Sequence, residues 1–319
     1  MDELEKIQER FEQFCLEKEG YPQAEAAKEL KSMIGKAKKA QDGQPAAAIS
    51  FNHAVECYYY AYFKNSSNFV CAKNSLSLMY RELAWIYREV GDYIRAQKAY
   101  REAIQWNPVD PDPYFELAEL YKEQGNLALY LKISQSAYNY CNSRPLLARY
   151  YRNLGFYYLE THQPELARAL YEYSEVYSET QCAKMELEYL AQAMGWGEEK
   201  LENKILVQRL NEKKIPLEIN PITVALTYKA AKTEEAKGHV TAARECYELF
   251  FHQVFQERKE GSYTNSMKEA SDCSCVDCKA TNCMYNKECE CHAGKISVEG
   301  GDAKQASGTE CATFQSCIG

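Results

Sequence analysis

Eight of the chain's 14 cysteines fall in its last 47 residues: Cys273, Cys275, Cys278, Cys283, Cys289, Cys291, Cys311 and Cys317. Thiolates crowded together either hold a metal or exchange disulfides. A tetrahedral site needs two short-range donor pairs brought to one point. Cys278 and Cys283, with four residues between them, supply one pair. Cys291 and Cys311 supply the other, across nineteen residues that include Ile296, Val298 and the turn Gly300-Gly301. Four thiolates at one site repel unless a cation neutralises them, so metal occupancy would drive folding. The expectation is one structural zinc ion on Cys278, Cys283, Cys291 and Cys311. The other four tail cysteines form a second zinc site or remain free thiols. Cys-Ser-Cys and Cys-Glu-Cys also suit a metallothionein-like cluster, and a thiol redox switch is a third reading. Only His292 lies nearby, without a Glu-His helical pair, so an open catalytic zinc is not expected.

A tail of under fifty residues cannot build a sufficient apolar core, so it needs a metal or disulfides to fold. The preceding chain can. Residues 1–258 read as a helical array, 259–272 (KEGSYTNSMKEASD) as a polar linker without helical periodicity, and 273–319 as a small Cys-rich domain with little regular structure. In the array, Leu4, Ile7, Phe11, Phe14 and Cys15 recur at helical spacing, which predicts an amphipathic helix over 2–18. Two more helices are expected over 23–41 and 45–64. The run 58–63, apolar nearly all round, predicts that the latter is covered on both sides.

Self-similarity begins at residue 80. YRELAWIYREVGDYIRAQKAYREAIQWNP (80–108) repeats its residue types after 34 positions: Tyr80 and Tyr114, Leu83 and Leu117, Ala84 and Ala118, Tyr87 and Tyr121, Gly91 and Gly125, Ala103 and Ala137. The first four pairs share one helix face, the glycines mark a turn, and the small alanines permit close helix approach. Segment 111–144 departs in its second helix, where Tyr130 replaces a small residue and Ser134 an aromatic one. A third copy starts near Ala148 and a fourth spans 224–257. Residues 182–213 read as a degenerate pair broken at Gly195-Trp196-Gly197. The 26 tyrosines, at this spacing, are expected in the core, and Cys15, Cys57, Cys71, Cys141, Cys182 and Cys246 on apolar faces.

Segment 77–110 resembles the tetratricopeptide repeat. That resemblance implies an all-α fold, a right-handed α–α superhelix of tetratricopeptide-like helix pairs, and a concave groove lined by the first helix of each pair. It places Arg81, Trp85 and Arg88 toward the groove, then Phe115, Glu119 and Lys122, then Arg149, Arg152 and Phe156. Arginines beside aromatics suit an extended peptide carrying carboxylates, because Arg offers a planar bidentate fork. The family's carboxylate-clamp subset uses Lys and Asn where this chain has Arg81 and Trp85, so that specific activity is not implied. The segment 278–314 resembles a small bacterial four-cysteine domain of unknown function, family 1540. It does so through Cys278, Asn282-Cys283, Tyr285-Asn286, Cys291, Ala293, Ile296, Val298 and Thr309-x-Cys311-x-Thr313-Phe314.

Bulk properties exclude several classes. The formal net charge of −8 disfavours nucleic acid and anionic membrane. The tail itself, with six acidic and four basic residues, does not read as a nucleic-acid-binding ribbon. No run of 18 apolar residues predicts a membrane span, and MDELEKIQER lacks the features of a secretory signal, so a cytoplasmic protein is expected. There is no Gly-rich phosphate loop, His-Glu-x-x-His or nucleophile elbow. The resulting expectation is a non-enzymatic scaffold that binds a peptide or protein segment in its groove. The alternatives are a metal- or redox-responsive regulator acting through the tail and an intracellular peptide-signal receptor.

Overall fold

The computed structural model describes residues 3–39, 47–197 and 199–254, together with four two-residue strands in the tail. The chain divides into two compact units, 1–256 and 257–319. The domain boundary expected at 258 and the linker 259–272 lie outside the described residues. No described helix is long and apolar enough to cross a membrane.

The first unit is a stack of helices. Helices α1 (Glu3–Glu17) and α2 (Gln23–Lys39) bury Ile7, Phe11 and Phe14 against Ala26, Leu30, Met33 and Ala37. Four helix–turn–helix pairs follow at the expected places: α4 (Leu76–Glu89) with α5 (Tyr93–Trp106), α6 (Asp112–Glu123) with α7 (Leu127–Ser136), α8 (Arg144–Glu160) with α9 (Pro164–Tyr177), and α12 (Pro221–Ala236) with α13 (Val240–Val254). Between the third and fourth come α10 (Gln181–Met194) and α11 (Asn203–Glu212), both packed on α9. This is the all-α stack of tetratricopeptide-like helix pairs.

Local chemistry sets the boundaries. Asp92 and Asn126 open the second helices by accepting hydrogen bonds from the backbone N–H groups of Arg95 (3.0 Å) and Leu129 (3.1 Å). Gly91, Gly125 and Gly238 close the first helices with φ of 75°, 68° and 77°, a region costly for other residues. In the third pair His162 takes that place at φ 58°. The second pair's departure has a structural counterpart. Tyr130 and Ser134 are both buried, α7 ends at Ser136, and a 3₁₀ turn covers Tyr138–Tyr140.

The helix expected over 45–64 begins only at residue 54. Ala47–Ile49 (β1) instead pairs in parallel with Phe69–Cys71 (β2), and α3 spans Ala54–Phe63. The Glu56 carboxylate reaches back to accept from the backbone N–H groups of Asn52 (2.6 Å) and His53 (3.3 Å), which starts the helix there. Phe51, Phe69 and Tyr60 pack edge to face, with centroids 5.1–5.8 Å apart, and pin the two strands to α3. The covering of 58–63 is also uneven: Tyr59 is fully buried while Tyr62 is exposed. Helix α3 lies on α12, where the Tyr58 hydroxyl donates to Glu234 Oε1 (2.7 Å) and Tyr59 bonds Thr227 (2.6 Å).

Many of the tyrosines lie in the core, while Tyr62, Tyr93, Tyr189 and Tyr228 are exposed, against the expectation for all of them. Tyr59, Tyr100, Tyr130, Tyr151 and Tyr171 are fully buried, each contributing roughly 2–3 kcal/mol. A buried phenol needs a partner for its O–H, and several find one on the backbone. Tyr151 donates to the Pro216 carbonyl (2.8 Å) and Tyr173 to that of Leu217 (2.9 Å), tying the 213–220 segment to the third repeat.

Candidate peptide groove

Helices α4, α6 and α8 present the residues expected in the groove, and most of their charges meet carboxylates of a neighbouring repeat. Arg81 Nη1 pairs with Asp112 (2.9 Å) and lies 3.9 Å from Asp110. Arg88 donates to Glu123 (2.6 Å) and to Glu116 (3.3 Å). Glu116 also accepts from Arg149 (2.8 Å), so one carboxylate joins all three helices. The partners lie 28 to 35 residues apart in sequence, about one repeat period. Lys122 sits 3.7 Å from Glu119 and 4.0 Å above the Phe156 ring. Burial works against the charge of Arg88, but Glu123 and Glu116 outweigh it and hold its pKa above the ordinary guanidinium value.

The aromatic positions divide. Trp85 is 43% exposed, with Lys18 5.6 Å over its ring, and Phe156 is half-buried. Phe115 is a correction: it is fully buried, with the Arg149 guanidinium 5.1 Å over its ring, and cannot offer a groove surface. It belongs to the core cluster that also holds Leu147 and Tyr151.

Arg152 differs from the other arginines. No ion pair or hydrogen bond holds it among the described residues, and its Nη1 is buried without a partner. Burial depresses its pKa; Cys182 opposes that shift and Arg149 reinforces it. Arg152 opens into a pocket of about 300 Å³ whose walls include Lys122, Arg149, Phe156, Tyr130 and Tyr171. The first turns of α10 complete it with Thr180, Cys182 and Glu186. Sequence reasoning missed this closure, because α10 lies outside the regular repeat.

At the opposite end of the ladder a carboxylate lacks a close cation. Asp110 is buried and accepts from Asn52 Nδ2 (2.8 Å) and the Asp112 backbone N–H (3.0 Å). Burial, with Glu56 and Asp112 nearby, pushes its pKa up to about 7.

Of the expected zinc ligands, Cys278 and Cys283 lie outside the described residues. Cys291 ends β4 (Glu290–Cys291), which pairs antiparallel with β3 (Asn286–Lys287). Cys311 ends β6 (Glu310–Cys311), which pairs antiparallel with β5 (Val298–Glu299). Each of these two cysteines therefore has its backbone on its own short ladder, and a four-thiolate donor set suits a zinc ion. Among the described residues no group of three or more His, Cys, Asp and Glu side chains is placed to hold a metal. In the array Cys141 and Cys246 are buried as expected, but Cys71 and Cys182 are exposed, one on a short strand and the other in the first turn of α10.

Two family models match the chain: a tetratricopeptide repeat over residues 85–125 and Domain of Unknown Function 1540 over residues 276–314. The chain thus carries a tetratricopeptide repeat and a C-terminal segment that matches Domain of Unknown Function 1540. No curated protein matches. Among solved structures it is similar to PilF of Pseudomonas aeruginosa, at 15% identity and TM-score 0.41, covering 78% of this chain and 93% of that one. It is also similar to YrrB, described as a TPR protein with an unusual peptide-binding site (16%, 0.32, 62% and 92%). A third is the first TPR of Spaghetti (RPAP3) bound to the HSP90 peptide SRMEEVD (22%, 0.33, 37% and 93%). What those proteins bind is a property of those proteins.

Proposed function

We propose that this chain is a non-enzymatic interaction scaffold whose α4–α6–α8 face takes a peptide or protein segment, and whose Cys-rich tail is a structural zinc module. The reading is supported by the α4–α6–α8 face: ion pairs link it across three repeats, Trp85 is exposed on it, and a pocket opens beside Arg152. Linked repeats lower the ordering cost of gripping an extended segment, and exposed aromatics beside Arg are the side chains that most often anchor interfaces. The test is affinity capture from the native host with the full chain and with a Trp85→Ala, Phe156→Ala double variant. The reading expects partners recovered by the first and lost by the second. Equal recovery by both would remove the groove from the function.

In the tail, Cys278, Cys283, Cys291 and Cys311 would hold the ion, which would neutralise four thiolates and couple occupancy to folding. Native mass spectrometry of the full chain should show one zinc, or two if the extra cysteines take part. A metal-free chain with free thiols under reducing conditions would overturn this half of the reading.

A further inference from the structure

A second cavity, of about 620 Å³, lies between α9 and α10, and no residue of α4, α6 or α8 contributes to its walls. The degenerate pair builds it. Gly195 ends α10 in the left-handed region (φ 65°), so the chain turns back across α9. There the Leu201 backbone N–H donates to Glu172 Oε2 (2.7 Å) and Arg168 donates to the Glu199 carbonyl. These bonds tie the turn to α9 and leave Trp196 as a wall of the cavity.

The cations of the cavity are already committed. Arg168 pairs with Glu172 (2.7 Å), Lys200 with Glu175 (2.8 Å) and Lys184 with Glu179 (3.5 Å). Glu172 and Glu175 are buried, so withdrawing either of their cations would strand a carboxylate. The wall charge left over is negative. Glu188, exposed on α10, has no ion pair or hydrogen bond among the described residues. Leu187, Ala191 and Trp196 supply apolar wall around the same cavity. The indole already attracts one cation, the Arg168 guanidinium 5.2 Å from its centroid. An unmatched carboxylate beside apolar and aromatic surface suits an occupant with an apolar stem and a cationic head. An anion would face Glu188 and find each wall cation engaged.

We infer that this cavity is a docking site for a lysine or arginine side chain of a protein partner, its stem on Leu187, Ala191 and Trp196 and its head on Glu188. The site shares no wall residue with the α4–α6–α8 face, so it stands or falls apart from the groove reading.

The test presents the full chain to synthetic arrays of randomised ten-residue peptides, acetylated and amidated at their ends. Each peptide holds one Lys, one Arg or one norleucine and no other charged residue. Wild type should retain one or both basic forms at least about fivefold better than the norleucine form, the joint scale of an exposed ion pair and a cation–π contact. Glu188→Gln should cut that preference by about half or more, the share carried by the ion pair. Glu25→Gln removes the same charge from the exposed face of α2 and should leave the preference intact. So should the Trp85→Ala, Phe156→Ala double variant. Equal retention of all forms by wild type, or retention of none, overturns the site. A preference that survives Glu188→Gln overturns it too. So does one that falls as far with Glu25→Gln, which would assign it to the field of the whole chain, and one lost in the double variant, which would put the basic side chain in the groove. A fall of more than about 5 °C in the melting temperature of Glu188→Gln would make Glu188 a structural residue and also overturn the site.

Discussion

Arg88 and Arg152 lie on equivalent first helices, are each partly buried, and have opposite electrostatic fates. Arg88 meets Glu116 and Glu123, and its pKa is held above the ordinary value despite burial. Among the described residues Arg152 meets no carboxylate, and burial depresses its pKa. The first is part of the fold; the second is what the fold leaves over. Paired charges are already committed between repeats, whereas an unpaired one is not. Asp110 is the mirror case, a carboxylate whose nearest cation, Arg81, stands 3.9 Å away.

The largest expected effect lies at Asp110. Its folded pKa of about 7 stands above the ordinary carboxylate value, so the folded state holds the proton more tightly than the unfolded state. Stability from this group is therefore full below about pH 4 and is lost as pH rises through 7. The loss is on the order of a few kcal/mol. Asp110→Asn mimics the protonated form and can offer its amide to the unpaired Asn52 Oδ1. In denaturant titrations from pH 4 to 8, the variant's advantage over wild type should widen with pH and level off near 8. A constant difference would show that Asp110 does not change its protonation in the folded state over this range.

Packing comes next. A Cβ at Gly155 would stand 3.2 Å from the Tyr171 ring, which also walls the Arg152 pocket. Gly155→Val should cost about 2 kcal/mol by forcing α8 from α9. Glu116→Ala tests the paired side directly. It strips Arg149 of its carboxylate and Arg88 of one of two, and should cost about 1.5 kcal/mol by urea unfolding. No loss would mean that the ladder is a surface decoration rather than part of the fold.

The contrast between the arginines also marks how far the sequence could be read. The 34-residue period places α4 through α9 and the glycine turns of the first two pairs, because helix faces and turns are local. Charge partners were legible in principle, since Arg81–Asp112, Arg88–Glu123 and Arg149–Glu116 lie 31, 35 and 33 residues apart. That same rule would have paired Arg152 with Glu119, which instead faces Lys122. Competition among neighbours in three dimensions is invisible to spacing. So are the seating of α3 on α12, through Tyr59 and Thr227 at 168 residues' separation, and the burial of Phe115. His162 gives no sign in the sequence that it takes the turn position held by glycine in the other three pairs. His162→Gly should relieve that backbone and raise stability by about 1 kcal/mol.

The smallest expected change separates the two arginines most sharply. Removing a paired, partly buried charge strands its partner, so a neutral substitution on the ladder destabilises. Among the described residues Arg152 has no partner to strand. Arg152→Gln removes a desolvated charge and its orphaned donor, and should leave stability within about 0.5 kcal/mol of wild type or raise it. Paired urea titrations of Arg152→Gln and Arg88→Gln measure it: the first midpoint should hold or rise while the second falls. If both fall together, Arg152 carries a structural interaction equivalent to that of Arg88, and the leftover charge that distinguishes the two regions does not exist.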